Sequence, residues 1–194
     1  MSAAPVLTNP PARAPKVSGA VVVNQLQTAR QLAGEAVIER ALTRLTSSQR
    51  DEVRGVLAVS WCSLATVRAF HEATAAEMGE SVDVWHLRVV ERSMQQTFNT
   101  VWRFFLRLTS PDALIKRAAA VYAKTYDTGS LEAVLIAPGH SRATLTGWPD
   151  VPDYQLNALA TGISTMLRAA GRSSVTVRWG RIAQGARFEI HTRQ

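Results

Sequence analysis

Four histidines and one cysteine are the residues of this chain best suited to chemistry: His71, His86, His140, His191 and Cys62. His71-Glu72 begins as a zinc-protease helix does, but the position that should hold the second histidine is Ala75, so that metal site is incomplete. The histidines fall on four different elements and read as structural or surface residues. A nucleophilic site would need Cys62 or a serine beside a base. No Gly-x-Ser-x-Gly turn occurs, and Cys62 beside Trp61 reads as a small buried hydrophobe. Asp51, Glu52 and Glu132 are single acids at a helix start or on a strand, not a carboxylate pair across a cleft. Gly19, Gly34, Gly79 and Gly129 stand as isolated punctuation and form no phosphate-cradling loop. The expectation is no catalytic residue, no metal, no bound cofactor, and a chain that is not an enzyme.

The element that would position everything else runs from Val84 to Leu108. Leu87, Val90, Met94, Phe98, Val101, Phe105 and Leu108 recur at spacings of 3, 4, 4, 3, 4 and 3, which places them on one face of a single long helix. Trp102, Phe104 and Leu106 widen that stripe, as in a helix covered on more than one side.

Before it, residues 1–15 hold Pro5, Pro10, Pro11 and Pro15 and read as a disordered leader, since so many prolines support neither helix nor interior strand. A short β-type stretch from Lys16 to Val23 leads into a helix with Leu26, Ala29 and Leu32, closed by Gly34. A second helix spans roughly Glu35 to Leu45. Thr46-Ser47-Ser48 opens a third, with Asp51 and Glu52 favourable near its start. Ser63 is a cap for a fourth, with Leu64, Val67, Phe70 and Met78 inward and Gly79 as its stop. After the long helix, Ser110-Pro111-Asp112 restarts a helix that ends near Asp127-Thr128-Gly129.

The period then changes. Leu131 to Ala137 and His140 to Thr146 are β-type runs joined by Pro138-Gly139, which suits a type II turn. Asp153 to Ala170 is an amphipathic helix stopped by Gly171. Val175, Val177 and Trp179, then Ala186, Phe188 and Ile190, alternate with polar residues in two closing strands. The order is helices first, then β-β-α-β-β with an antiparallel sheet: one α+β domain over 16–194.

At 194 residues the chain suits one well-buried domain. No run approaches the roughly 18 to 20 apolar residues that span a bilayer, and neither a signal peptide nor a membrane span is read. A single cysteine forms no internal disulfide and fits a reducing, cytoplasmic setting. Net charge is +7, which attracts nucleic acid or anionic surfaces. The 22 basic residues, however, are scattered without a run, and the Trp102-Arg103-Phe104 interleaving is already explained by the helical period. A merely basic surface is therefore favoured over a nucleic-acid-associated protein, which stays as the alternative.

Several segments in this order resemble a known group. Lys16-Val17-Ser18-Gly19, Gly34-Glu35, Ser60-Trp61, the aromatic long helix, and Pro111-Asp112-x-Leu114 leading to Tyr126-Asp127-Thr128-Gly129 are similar to haem-nitric-oxide-binding (H-NOX) domains. They are closer still to uncharacterised, mainly myxobacterial, bacterial proteins of related fold. The resemblance covers about 16 to 192. It implies an α+β fold shared with four-vinyl-reductase sensor domains and TRAPP small subunits, often dimeric, whose helical half can enclose an apolar pocket.

Haem does not come with the resemblance. Haem-type members need a histidine on the helix matching Pro111 to Tyr126, which has none, and a Tyr-x-Ser-x-Arg motif, which this chain lacks. The ligand-pocket candidates are Trp61, Phe70, Phe98, Trp102, Phe105 and Tyr122, which either line an apolar cavity or simply fill the core. The functional expectation is a cytosolic sensory or adaptor domain acting on a protein partner, with a small apolar ligand and a homodimer both compatible with the fold group.

Overall fold

The computed structural model describes residues 14–97 and 111–193, with the backbone alone at 111–116. The chain runs β1 (Lys16–Ser18), α1 (Gly19–Ala33), α2 (Glu35–Thr43), α3 (Ser47–Arg54), β2 (Trp61–Ser63), α4 (Leu64–Met78), α5 (Val82–Thr97), α6 (Pro111–Thr125), β3 (Ser130–Ala137), β4 (His140–Thr146), α7 (Asp153–Ala169), β5 (Ser174–Ile182) and β6 (Gly185–Arg193). This is the expected α+β order, a helical half followed by β-β-α-β-β. The expected leader lies outside the described residues except at Ala14 and Pro15. So does the second half of the Val84–Leu108 helix, from Phe98 onward.

Local chemistry sets the boundaries. Extended backbone gives way to helix at Gly19 rather than after Val23, so β1 is only three residues long. Gly34, at φ 83°, turns the chain between α1 and α2 while its N–H donates to the Arg30 carbonyl at 2.9 Å. At α3, Gln49 N–H donates to the Thr46 hydroxyl and the Gln49 side chain accepts from the Thr46 N–H, a reciprocal capping box.

In α5 the buried face is Trp85, His86, Val89, Val90 and Ser93, with Leu87 and Met94 only half-buried. It is rotated from the stripe that Leu87, Val90 and Met94 suggest, because α5 is embraced by α1, α4 and α7 together.

The four-stranded sheet has the order β3-β4-β6-β5, antiparallel throughout. Ala143, Phe188 and Trp179 share one register row, and Leu145 sits beside Ala186. These face inward with α7 packed on β5, while the alternate residues face solvent. Gly139, at φ 77°, supplies the left-handed position in the β3–β4 turn. One hydrophobic cluster extends from Val17 and Ile38 in the helical half to Phe188 and Ile190 in the sheet. No helix among the described residues is long and apolar enough to cross a membrane.

The halves are stitched by the first few described residues. Leu64 N–H donates to the Pro15 carbonyl (3.0 Å), Lys16 N–H to Asp127 Oδ1 (2.7 Å), Asp127 N–H back to the Lys16 carbonyl (3.2 Å), and Gly19 N–H to the Ser60 carbonyl (2.7 Å). Val17 pairs with Cys62 on one side and Tyr126 on the other.

Gly19 is indispensable here on steric grounds. A Cβ at this position would lie 1.9 Å from the Leu57 carbonyl oxygen and 2.9 Å from that of Ser60. Gly19→Ala is expected to lower the stability of the whole fold by roughly 2 to 4 kcal/mol, as severe backbone overpacking does. The midpoint of urea denaturation reads this directly, and an unchanged midpoint would contradict the packing described.

Candidate ligand site

The six aromatic candidates do not form one described cluster. Phe70 is buried on α4 and meets the His71 ring edge-on at 5.5 Å. Tyr122 is buried at the end of α6, 5.1 Å from the Tyr126 ring, which in turn lies 6.2 Å from Trp148. Trp61, on β2, is 41% exposed. Phe98, Trp102 and Phe105 lie outside the described residues.

What the fold brings together instead is a seam of rings between α4, α5 and α7. His71, at the inward position four residues after Val67, and His86, beside Trp85, pack with ring centroids 4.5 Å apart. His86 then lies 5.8 Å from Tyr154 at the start of α7, and the Arg68 guanidinium caps that tyrosine 4.4 Å from its centroid. Reading the histidines one at a time missed this pair. The signal available was His71 itself, which continues the Leu64, Val67 stripe at a spacing of four.

The electrostatics of the pair are those of neutral imidazoles. Burial, then the neighbouring His86 and Arg68, hold His71 well below the usual histidine range. Burial and Arg68 bring His86 down to about 4, against a weak opposing pull from Asp83. His71 Nε2 lies within hydrogen-bond distance, 3.2 Å, of the Gln25 Oε1 of α1. The Nδ1 atoms of both rings are buried without a hydrogen-bond partner. Beside His71 is a void of about 10 Å³, lined by Val22, Gln25, Leu26, Val53, Val67 and Phe70 as well. That is about the room one water needs.

Neither imidazole of this seam is poised as a general base. A base must be able to take a proton near the working pH, and these two histidines are held neutral by being hard to protonate. Cys62 is fully buried, its thiol pushed up to about 12 by burial and the charge of Glu52, so it carries no thiolate. Among the described residues no group of three His, Cys, Asp or Glu could hold a metal ion.

A second polar knot joins the halves below the seam. Gln155 of α7 donates to the Tyr126 hydroxyl at 2.7 Å, and the Tyr122 hydroxyl donates to the Thr128 carbonyl at 2.7 Å. Burial pushes the Tyr126 phenol up to about 12, so it stays a neutral hydrogen-bonding group.

Both imidazoles of the seam protonate more easily in the unfolded chain, near 6.5, than in the fold. Unfolding therefore takes up protons below that pH. Stability present above pH 6.5 is lost as the pH falls toward 4, and His86 accounts for about 3 kcal/mol of the loss. His86→Leu should flatten this acid slope while costing no more than about 1.5 kcal/mol at pH 7. Chemical denaturation from pH 7.5 to 4 measures both, and an unaltered slope in the variant would contradict the assignment.

No sequence-family model matches the chain, and no curated protein matches its sequence. Solved structures do match in shape. An Fe(II) unliganded H-NOX protein from K. algicida is 8% identical, with 91% of this chain and 97% of that one covered at a TM-score of 0.66. An oxygen-binding H-NOX domain related to soluble guanylate cyclases, in its oxygen complex, is 14% identical, with 91% and 95% covered at 0.66. A variant of the T. tengcongensis H-NOX is 15% identical, with 91% and 98% covered, also at 0.66. Over nearly its whole length, then, the chain has an H-NOX-like fold.

Proposed function

We propose that this chain is a non-enzymatic, cytosolic sensory domain that holds a small apolar ligand in its helical half and acts through contact with a protein partner. The observation that carries this reading is the extent of the structural likeness, which takes in 91% of this chain and 95% or more of the H-NOX domains compared. The buried, unreactive Cys62 and the neutral histidine pair support a binding role rather than a catalytic one.

The ligand of this reading is not haem. An axial ligand needs an imidazole facing an open slot. α6 carries no histidine. His71 is engaged by Gln25 and packed at a 40° tilt against His86 beside a void of about 10 Å³. His140 and His191 stack on each other at 4.3 Å on the open face of the sheet, where Glu189 takes the His140 Nε2 at 2.8 Å. None of the four fits the role.

In this reading a ligand in the helical half alters how α4 and α5 seat against α7. The Phe70–His71–His86–Tyr154 seam and the Lys16–Asp127 tie pass the change to the sheet half. The residues assigned to ligand contact in this reading are Phe98, Trp102 and Phe105, which lie outside the described residues, together with the buried Phe70 and Tyr122 and the more exposed Trp61.

Native mass spectrometry of freshly purified protein, with an absorbance scan of the same sample, is the direct test. The expected result is a small mass retained on the native chain, lost on denaturation, and no Soret band. Phe98→Ala with Trp102→Ala should release it. A Soret band, or retention unaffected by both substitutions, would overturn the reading.

A further inference from the structure

The solvent face of the four-stranded sheet carries charge in a regular pattern. Side chains in register across an antiparallel sheet share a face, so four rows can be read off the pairing. They are Glu132–Thr144–Arg187–Gly180, then Val134–Arg142–Glu189–Arg178, then His140–His191–Thr176, then Arg193–Ser174. Four arginines and two histidines thus stand against two carboxylates. One of those, Glu189, is already taken, accepting from Arg142 Nε at 2.7 Å and lying 2.8 Å from His140 Nε2.

Arg178, Arg187 and Arg193 are exposed, and their guanidinium groups hold no hydrogen bond or ion pair among the described residues. Sixteen of the other basic and acidic residues among the described residues are tied to one another in ion pairs, such as Arg40 and Arg44 on Glu77. Three exposed guanidiniums with no described partner thus share one face of the sheet.

We infer that this face is the docking surface for an extended acidic segment of a partner protein. The inference rests on the reading of the chain as a domain that works through protein contact. Successive rows lie about 7 Å apart along the strands, the distance between alternate side chains of an extended peptide. Arg187, Arg178 and Arg193 occupy the first, second and fourth rows, so carboxylates at alternate positions of such a segment meet them in turn. Each guanidinium can grip a carboxylate by two parallel hydrogen bonds. Gly180, where an added Cβ would meet nothing within 4 Å, leaves room beside Arg187 for the segment to lie.

Nucleic acid fits this face poorly. Single strands bind on aromatic platforms, and these rows contain no Phe, Tyr or Trp. Glu132 and Glu189 would also face the phosphates.

The test is fluorescence anisotropy of the full chain with a labelled peptide of alternating glutamate and serine, and with its glutamine counterpart. The wild type is expected to bind only the glutamate peptide, more weakly as salt rises. Arg178→Glu, Arg187→Glu and Arg193→Glu together should weaken binding at least tenfold, and the three Arg→Gln changes at least fivefold, with circular dichroism unchanged. The same charge reversal at exposed helix positions Arg92, Arg117 and Lys124 should cost less than threefold.

Equal loss from the helix and sheet variants, or no binding by the wild type, would overturn the assignment. So would tighter binding of a DNA or RNA oligonucleotide that the sheet variants abolish. Native mass spectrometry on the same samples separates the two readings. A chain that retains its ligand but binds no peptide removes the docking face alone, while peptide binding by a ligand-free chain removes the sensory reading alone.

Discussion

Five residues, Pro15 to Gly19, hold this fold together. Their backbone groups are spent on four different parts of the molecule: the start of α4, the loop after α6, strand β2, and the carbonyl of Ser60. Each of these bonds contributes only about 1 kcal/mol net. Buried and left unmade, each would cost more than that, which is why the segment is so constrained. Val17 is buried between Cys62 and Tyr126, and Gly19 has no room for a side chain at all. The helical half and the sheet half therefore cannot drift apart without undoing a segment that both of them need.

From that tie outward, α1 adds hydrogen bonds to its apolar packing against the neighbouring helices. α1 and α5 meet through Thr28 and Gln96 (3.0 Å) and through Gln31 and Gln96 (2.6 Å), and α1 meets α4 through Gln25 and His71. Hydrogen-bonded seams of this kind fix the register of the elements they join. α7, by contrast, sets Leu156, Ala158 and the Trp179 contact against the sheet, with the Trp179 indole N–H donating to Asn157 at 2.9 Å. Gly162 brings α7 close to Met94 of α5, where an added Cβ would stand 3.1 Å from the Met94 sulfur.

The sequence made the fold legible where the signals were local. Pro138-Gly139, Gly79 and Gly171 punctuated the elements where the chain in fact turns, and the alternation around Trp179 and Phe188 placed the sheet's inner face. It was less legible where three neighbours decide what one helix buries: α5 turns Trp85 and His86 inward, and hydrophobicity alone pointed to Leu87. The histidine pairs were hidden for a related reason. His71 and His86 are fifteen residues apart on separate helices, and His140 and His191 meet only because β4 pairs with β6. No spacing rule within one element can disclose either meeting. The aromatic site candidates show the same limit, since Phe70 and Tyr122 share a type and a burial but sit in different ring clusters.

Cys62 gives the tie between the halves a measurable clock. Its thiol is fully covered, faces Val17 across the short β1–β2 ladder, and is kept protonated by its surroundings. A thiol reagent can reach it only when the structure around the β1–β2 ladder opens, and only then does the sulfur regain ordinary acidity. The pace of its labelling under native conditions therefore counts the openings around that ladder, with no probe added to the chain.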